Sequence, residues 1–225
     1  MNINILYEDN HLLIVEKPVN IPVQEDASGD PDLLNILKGY IKENENKPGN
    51  VYLGLVHRLD RPVGGAIVFA KTSKAASRLS DQLRQNKIVR KYKAVVRGRM
   101  SAAEKTLTDH LHKNRKNNTV NVVDKNKKEA KKAILHYKVL DTDKKNNLSL
   151  LEIQLETGRS HQIRVQLANA GNVLYGDQKY GRHSNKVGQQ IALWAHTLEV
   201  KHPTKDEMVS VECPPPDKMP WDGFF

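Results

Sequence analysis

The stretch Gly54-Leu-Val-His57-Arg58-Leu-Asp60-Arg61-Pro62-Val-Gly64-Gly65, running into Ala66-Ile-Val-Phe-Ala70, decides how this chain is read. Proline and two glycines directly after Asp60 prescribe a tight, special backbone rather than a helix surface. The apolar run that follows is a continuous buried strand. Asp60 therefore sits on a turn that feeds the core, with Arg58 and Arg61 on either side. Neighbouring cations hold a carboxylate ionised, and they could hold a polyanion over it. A nucleophilic or general-base aspartate acting on a nucleic acid needs that arrangement. The same string also fits a solvated salt-bridge cluster, in which exposed pairs contribute little.

Outward from this turn, Ile3–Tyr7 and Leu12–Glu16 read as a hairpin around Glu8-Asp-Asn-His, with Lys17-Pro18 ending the second strand. Asp32–Lys47 carries Leu33, Leu34, Ile36, Leu37, Tyr40 and Ile41 at helical spacing, with Asp32 near the cap position. Thr72 or Ser73 caps a second helix running to about Asn86, and Val89–Val96 alternates around Tyr92 as a strand. Ala133–Leu140 and Leu148–Leu155 form another strand pair, and Ile191–Lys201 and Met208–Glu212 are the last strands. Between them, residues 101–132 are polar, with basic runs at Lys113–Lys116 and Lys125–Lys132 and a short apolar Thr119–Val123 hairpin piece. This segment is expected to be a basic, mobile arm or insertion rather than a domain. Strands outnumber helices and come in consecutive pairs, which predicts an α+β fold with a mixed, largely antiparallel sheet.

The composition narrows the partners. The 225 residues suit one packed domain, and 36 Lys plus Arg against 26 Asp plus Glu give a formal charge of +10. That balance suggests a polyanion, most often nucleic acid; aromatic residues at 5% argue against a stacking platform for single strands. No run is long and apolar enough to span a bilayer, and the first ten residues lack a signal pattern. One cysteine, Cys213, excludes an intrachain disulfide framework and fits a reducing cytoplasm. The nine histidines show no metal-site spacing; His110 and His112 stand two apart with no third ligand. There is no Walker-type loop and no Gly-x-Gly-x-x-Gly run, so no nucleotide cofactor is expected.

A second basic motif, Gly158-Arg159-Ser160-His161-Gln162-Ile163-Arg164, opens a further helix with Ser160 as the expected N-cap. Helix N-termini favour anions. Arg164 lies over the first turn, and it would pair with Asp60 if that face met the Asp60 turn. Tyr92 fits either a core position or a ring stacked on a flipped base. His57 and His161 read as supports of local backbone geometry.

Taken together, His57-Arg58-Leu59-Asp60, Gly65–Lys71, Arg90–Gly98 and Gly158–Arg164 resemble the RluA-type RNA pseudouridine synthases. Tyr7-Glu-Asp-Asn with Val15-Glu-Lys-Pro18, Tyr175-Gly-Asp-Gln-Lys-Tyr180-Gly and Ala195–Pro203 extend the resemblance over roughly residues 3 to 216. It implies a single catalytic domain over residues 1–225, with an active-site cleft across the sheet. It also implies cofactor-free isomerisation of uridine to pseudouridine in ribosomal or transfer RNA; a cytoplasmic monomer is expected.

By the same resemblance Asp60 acts at the sugar C1′, Tyr92 stacks on the uracil, and Arg164 pairs with the aspartate. Arg58 enters the RNA where the base flips out. His57, Arg61, Arg159, His161 and Gln162 complete the expected substrate-binding set. Many members carry Thr-Ser-Gly shortly after the aspartate, where this chain has Pro62-Val63-Gly64-Gly65, so a hydroxyl contact is missing. The chain starts at the first hairpin, so the small N-terminal RNA-binding domain of some relatives is not expected. A non-catalytic RNA-binding protein on the same scaffold is the alternative, disfavoured by intact Asp60, Tyr92 and Arg164. A base-excising glycosidase would need a second carboxylate, for which Glu152 or Glu156 are the candidates.

Overall fold

The structure is a computed structural model that describes residues 3–46 and 48–224. Lys47, the expected end of the first helix, and the outermost residues of the expected 1–225 domain lie outside the described residues. In chain order the elements are β1 (Ile5–Glu8), β2 (Leu12–Lys17), α1 (Leu33–Asn44), β3 (Gly54–Leu55), β4 (Gly64–Ala70), α2 (Ser73–Arg84) and β5 (Val89–Arg97). They continue with β6 (Glu104–Asn114), β7 (Thr119–Val123), β8 (Lys131–Asp143), β9 (Leu148–Leu155), α3 (Gln162–Asn169), β10 (Leu193–Lys201) and β11 (Met208–Glu212). The α+β class holds, with three helices on a strand-rich chain. The strands fall into two compact units, Met1–Arg90 with Ala195–Pro214, and Lys91–Trp194 with Pro215–Phe225.

In the first unit the strand order is β1-β2-β4-β10, with β3 paired to β4 and β11 to β10. The hairpin forms because Asp9 Oδ1 accepts the backbone N–H groups of His11 and Leu12 at 2.7 and 2.8 Å. Every residue of β4 is buried, as an apolar run without alternation predicts. Both helix caps follow from sequence: Asp32 accepts from Asn35 N–H, and Thr72 from Ala75 N–H. Leu33, Leu37 and Ile41 of α1 and Ala75 and Leu79 of α2 are the buried faces. Antiparallel pairing of β2 with β4 runs from Leu12↔Ala70 to Lys17↔Gly65, which brings Lys17 beside the end of the Asp60 turn.

In the second unit the order is β5-β9-β8-β6-β7, all described pairs being antiparallel. Residues 101–132, expected as an arm or insertion, are largely strand. Residues 104–111 pair with β8, and His110–Asn114 pair with β7. Leu111, Val120 and Ala133 from the three strands bury against Val165 of α3, and Val122 and Tyr180 pack on that cluster. The apolar contact with α3 ties the segment into the sheet, while its lysines stay outside.

The start of α3 also differs from expectation. Its N-cap is His161, at φ +51°, and it makes no side-chain cap bond, so Ser160 is not the cap. Gln162 does the work expected of the serine hydroxyl. Its Oε1 accepts from Arg159 N–H at 3.0 Å and from the Thr157 hydroxyl at 2.8 Å, and its Nε2 donates to Ile134 O at 3.0 Å. An amide that satisfies two groups of the turn and a carbonyl of β8 displaces a single-hydroxyl cap.

Candidate active site

Alternation along an extended segment sorts the first motif: His57 and Leu59 are buried, Arg58 is exposed, and Asp60 is half-buried. The turn closes through Val63 N–H donating to Asp60 O at 2.9 Å. Its outer carbonyl, Arg61 O, accepts from Asn20 N–H at 2.9 Å and from Lys17 Nζ at 3.0 Å. Lys17 is fully buried and also donates to Pro18 O at 2.8 Å. Burial pushes the Lys17 amine down to about 7, against the pull of the Asp60 carboxylate and with the Arg61 charge adding to the fall. A lysine within the apolar Leu12–Lys17 strand thus clamps the backbone that carries Asp60. The sequence signal for it was a charge at a core register, which the Lys-Pro reading used only as a strand stop.

Arg61 spends its side chain locally. Nε donates to Asn20 O at 3.1 Å, Nη1 to Ser28 Oγ at 3.0 Å, and Nη2 to Asp30. Those bonds, with Asp26 nearby, staple the 20–30 loop to the turn. The His57 ring is buried, and its Nε2 accepts from Val68 N–H at 3.3 Å. Burial first, and the Arg90 charge second, hold this imidazole down to about 3, so it is neutral at physiological pH. Through this bond His57 anchors the motif to β4.

In the second unit, Tyr92 is buried on β5, on the strand face that also carries Arg90 and Ala94. Arg159 is exposed, with Nε donating to Lys132 O at 2.9 Å. Arg164 is buried, and the structure gives it a carboxylate that the sequence reading had not named. Asp177 Oδ2 accepts from Nε at 2.8 Å, and Oδ1 from Nη2 at 2.9 Å. His161 Nδ1 lies 2.6 Å from the Tyr180 hydroxyl. Burial alone would raise the Asp177 pKa, but the Arg164 bonds and charge, with the N–H groups of Tyr180 and Lys179, hold it below the usual carboxylate range.

The structure therefore gathers Lys17, His57, Arg58, Asp60 and Arg61 at one turn of the first unit. It gathers Arg159, His161, Gln162 and Arg164 at one helix start of the second, and adds Asp177 and Tyr180 there. Asp177 was visible only inside the Tyr175–Gly181 motif, where nothing local marks it as a partner for a residue 13 positions away.

A measurable consequence belongs to Lys17. Replacing it with methionine removes two hydrogen bonds to backbone carbonyls while keeping most of the apolar volume. The expected loss near pH 7 is about 1–2 kcal/mol. Between pH 7 and about 10, the unfolded chain binds the Lys17 proton and the folded chain releases it, so wild type gains stability relative to Lys17→Met as pH rises. Parallel denaturation curves from pH 6 to 10 measure this, and a constant difference between the two proteins would refute it.

Comparison with known proteins shows what the chain as a whole is similar to. A family model described as RNA pseudouridylate synthase matches residues 11–169. The uncharacterized RNA pseudouridine synthase YhcT of Bacillus subtilis is 37% identical over 217 residues, covering 96% of this chain and 70% of that protein. The ribosomal large subunit pseudouridine synthase D of Nitrosomonas europaea is 35% identical over 230 residues, covering 96% of this chain and 63% of that protein. Among solved structures, human RNA pseudouridylate synthase domain containing 4 superposes with a TM-score of 0.79 at 22% identity, covering 95% of this chain and 88% of that one. That last likeness is one of fold.

Proposed function

The chain belongs to the RNA pseudouridylate synthase family, isomerases that act on RNA, and from that premise we propose that Asp60 is its catalytic aspartate. In this reading the Asp60 carboxylate acts at C1′ of a uridine as the C1′–N1 bond breaks. The uracil turns, and C5 takes the place of N1 on C1′. C5 then gives up its proton, which restores the ring, and N1, which left with the electron pair of the broken bond, takes up a proton, so the product is an isomer of the substrate. Atoms balance without a cofactor. The observation that carries the reading is the half-buried carboxylate on a turn clamped by the buried Lys17, with Arg58 exposed two residues before it. A fixed carboxylate next to a cation open to a polyanion suits a flipped nucleotide.

Arg58 is assigned to the gap left by the flipped base, Tyr92 to stacking on uracil and C5 proton removal, and Arg164 to pairing with Asp60. Arg159, being exposed, is assigned to RNA contact. For His57, Arg61 and Gln162, the bonds described above favour holding the backbone over touching substrate, and His161 meets the Tyr180 hydroxyl. Relatives named for the ribosomal large subunit make ribosomal RNA the first candidate substrate, with transfer RNA the other. The enzyme is proposed to act as a monomer in the cytoplasm, as one catalytic domain. No helix of the described residues is long and apolar enough to cross a membrane.

Mapping pseudouridine across cellular RNA, with and without the protein, tests the function. A discrete uridine that loses its modification in the absence of the protein and regains it on addition of purified enzyme is the expected result. An unchanged map would overturn the reading. The basic β6–β7 hairpin is proposed to add RNA affinity. Changing Lys113, Arg115 and Lys116 to glutamine is expected to lower the slope of log affinity against log salt by roughly 2 to 3. An unaltered slope would leave these side chains without a part in binding.

A further inference from the structure

Three buried features of the molecule touch no reacting atom in the reaction as described: Lys17, the Arg90–His57 neighbourhood and the surroundings of Arg164. The last carries the argument furthest. Asp177 has a side chain 1% exposed, and its Oδ1 accepts from the backbone N–H groups of Lys179 and Tyr180 at 2.9 and 3.1 Å. The carboxylate is thus fixed by its own loop before it meets Arg164. Asn185 fixes the loop in turn, donating to Leu174 O, Asp177 O and Gly181 O at 2.9, 3.2 and 3.1 Å. Tyr180 forms the other wall, its ring centroid 5.2 Å from the Arg164 guanidinium carbon. The Tyr180 hydroxyl accepts from Val120 N–H at 2.9 Å and meets His161 Nδ1 at 2.6 Å. Lys179 Nζ donates to Asn118 O at 2.8 Å, so the loop is also fastened to the β6–β7 turn.

We propose that Asp177 and Tyr180 are positioning residues, a cradle that aims the Arg164 guanidinium and fastens it to the turn end of the basic hairpin. A guanidinium is planar and rigid, so fixing Nε and Nη2 on one carboxylate fixes the direction of Nη1 as well. A buried ion pair is a poor source of net stability compared with apolar packing, so its retention here calls for a role in geometry. The inference rests on Arg164 serving Asp60 in the proposed reaction. Asp177 then touches no reacting atom and acts through Arg164.

The test uses the full-length enzyme and an RNA transcript carrying the mapped uridine, under single turnover with enzyme in excess. Asp177→Asn is expected to slow pseudouridine formation roughly 10- to 100-fold with RNA affinity unchanged, as loss of a charged hydrogen-bonded partner implies. Tyr180→Phe keeps the ring and removes only the hydroxyl, and is expected to slow the step several-fold with little change in melting temperature. The decisive variant is the double change Arg164→Gln with Asp177→Asn. It removes both buried charges, so the stability lost in either single variant should return while the rate stays as low as in Arg164→Gln alone. If the rate recovers with stability, the step does not need the Arg164 guanidinium and the proposal fails with it. Wild-type rates in both Asp177→Asn and Tyr180→Phe would also overturn it. Should Asp177→Asn not fold, Tyr180→Phe and the double variant still decide. An inactive Asp60→Asn alongside such wild-type rates would sink the cradle alone, whereas an active Asp60→Asn would sink the underlying reading.

Discussion

An Asp60→Asn enzyme is expected to fold, to bind RNA as tightly as wild type, and to form pseudouridine at least roughly 10⁴-fold more slowly. The fold survives because the described bonds that shape the turn use backbone carbonyls. Val63 N–H meets Asp60 O, and Asn20 N–H and Lys17 Nζ meet Arg61 O. None of these needs the carboxylate. Lys17 loses the favourable pull of the Asp60 charge, so its amine moves further below its ordinary value and stability falls slightly, by up to about 1 kcal/mol. The reaction does not survive, because an amide is neither a nucleophile at C1′ nor a charge that can stabilise an electron-poor sugar. Circular dichroism melts together with mass spectrometry of the target RNA measure both halves. Retained turnover in a folded variant would remove Asp60 from the mechanism.

The second large effect is on folding. Gly65 follows the Asp60 turn at φ +111°, and a Cβ built there would lie 2.3 Å from Ala195 O, 2.6 Å from Ala195 N and 2.8 Å from Ala195 C. All three are backbone atoms, which cannot swing aside as a side chain can. Gly65→Ala is therefore expected to cost about 3–5 kcal/mol and to lower the melting temperature by roughly 10 °C or more. Gly29→Ala is the control. Its φ is also positive, at +73°, but its Cβ would meet nothing within 4 Å, so its cost should stay near about 1 kcal/mol. Equal losses in the two variants would mean that backbone conformation, not the close approach to Ala195, decides the effect.

Much of the fold was legible because it rests on local rules. Asp32 and Thr72 precede helical periods and cap them, and the run after Gly65 buries without alternation. The segment 104–114 was harder. Only Leu107 and Leu111 of that strand are buried, four residues apart, so it lacks the period-two signal that would have marked it. Its pairing partner, β8, lies beyond a turn and another strand, and that long-range ladder makes the strand.

By itself the sequence determined that Asp60 stands on a special turn between two arginines, at the head of a core strand, because proline, glycine and unbroken apolar runs each restrict the backbone locally. It also determined the family, through four motifs in a common order. Only the tertiary structure separated the two arginines, sending Arg61 to Ser28 and Asp30 while Arg58 stays exposed. Only the tertiary structure placed Lys17 under the turn, 44 residues from the carbonyl it holds, and gave Arg164 its carboxylate 13 residues away. Such pairings depend on which charges burial forces together, and burial is a property of the folded chain, not of any window along it.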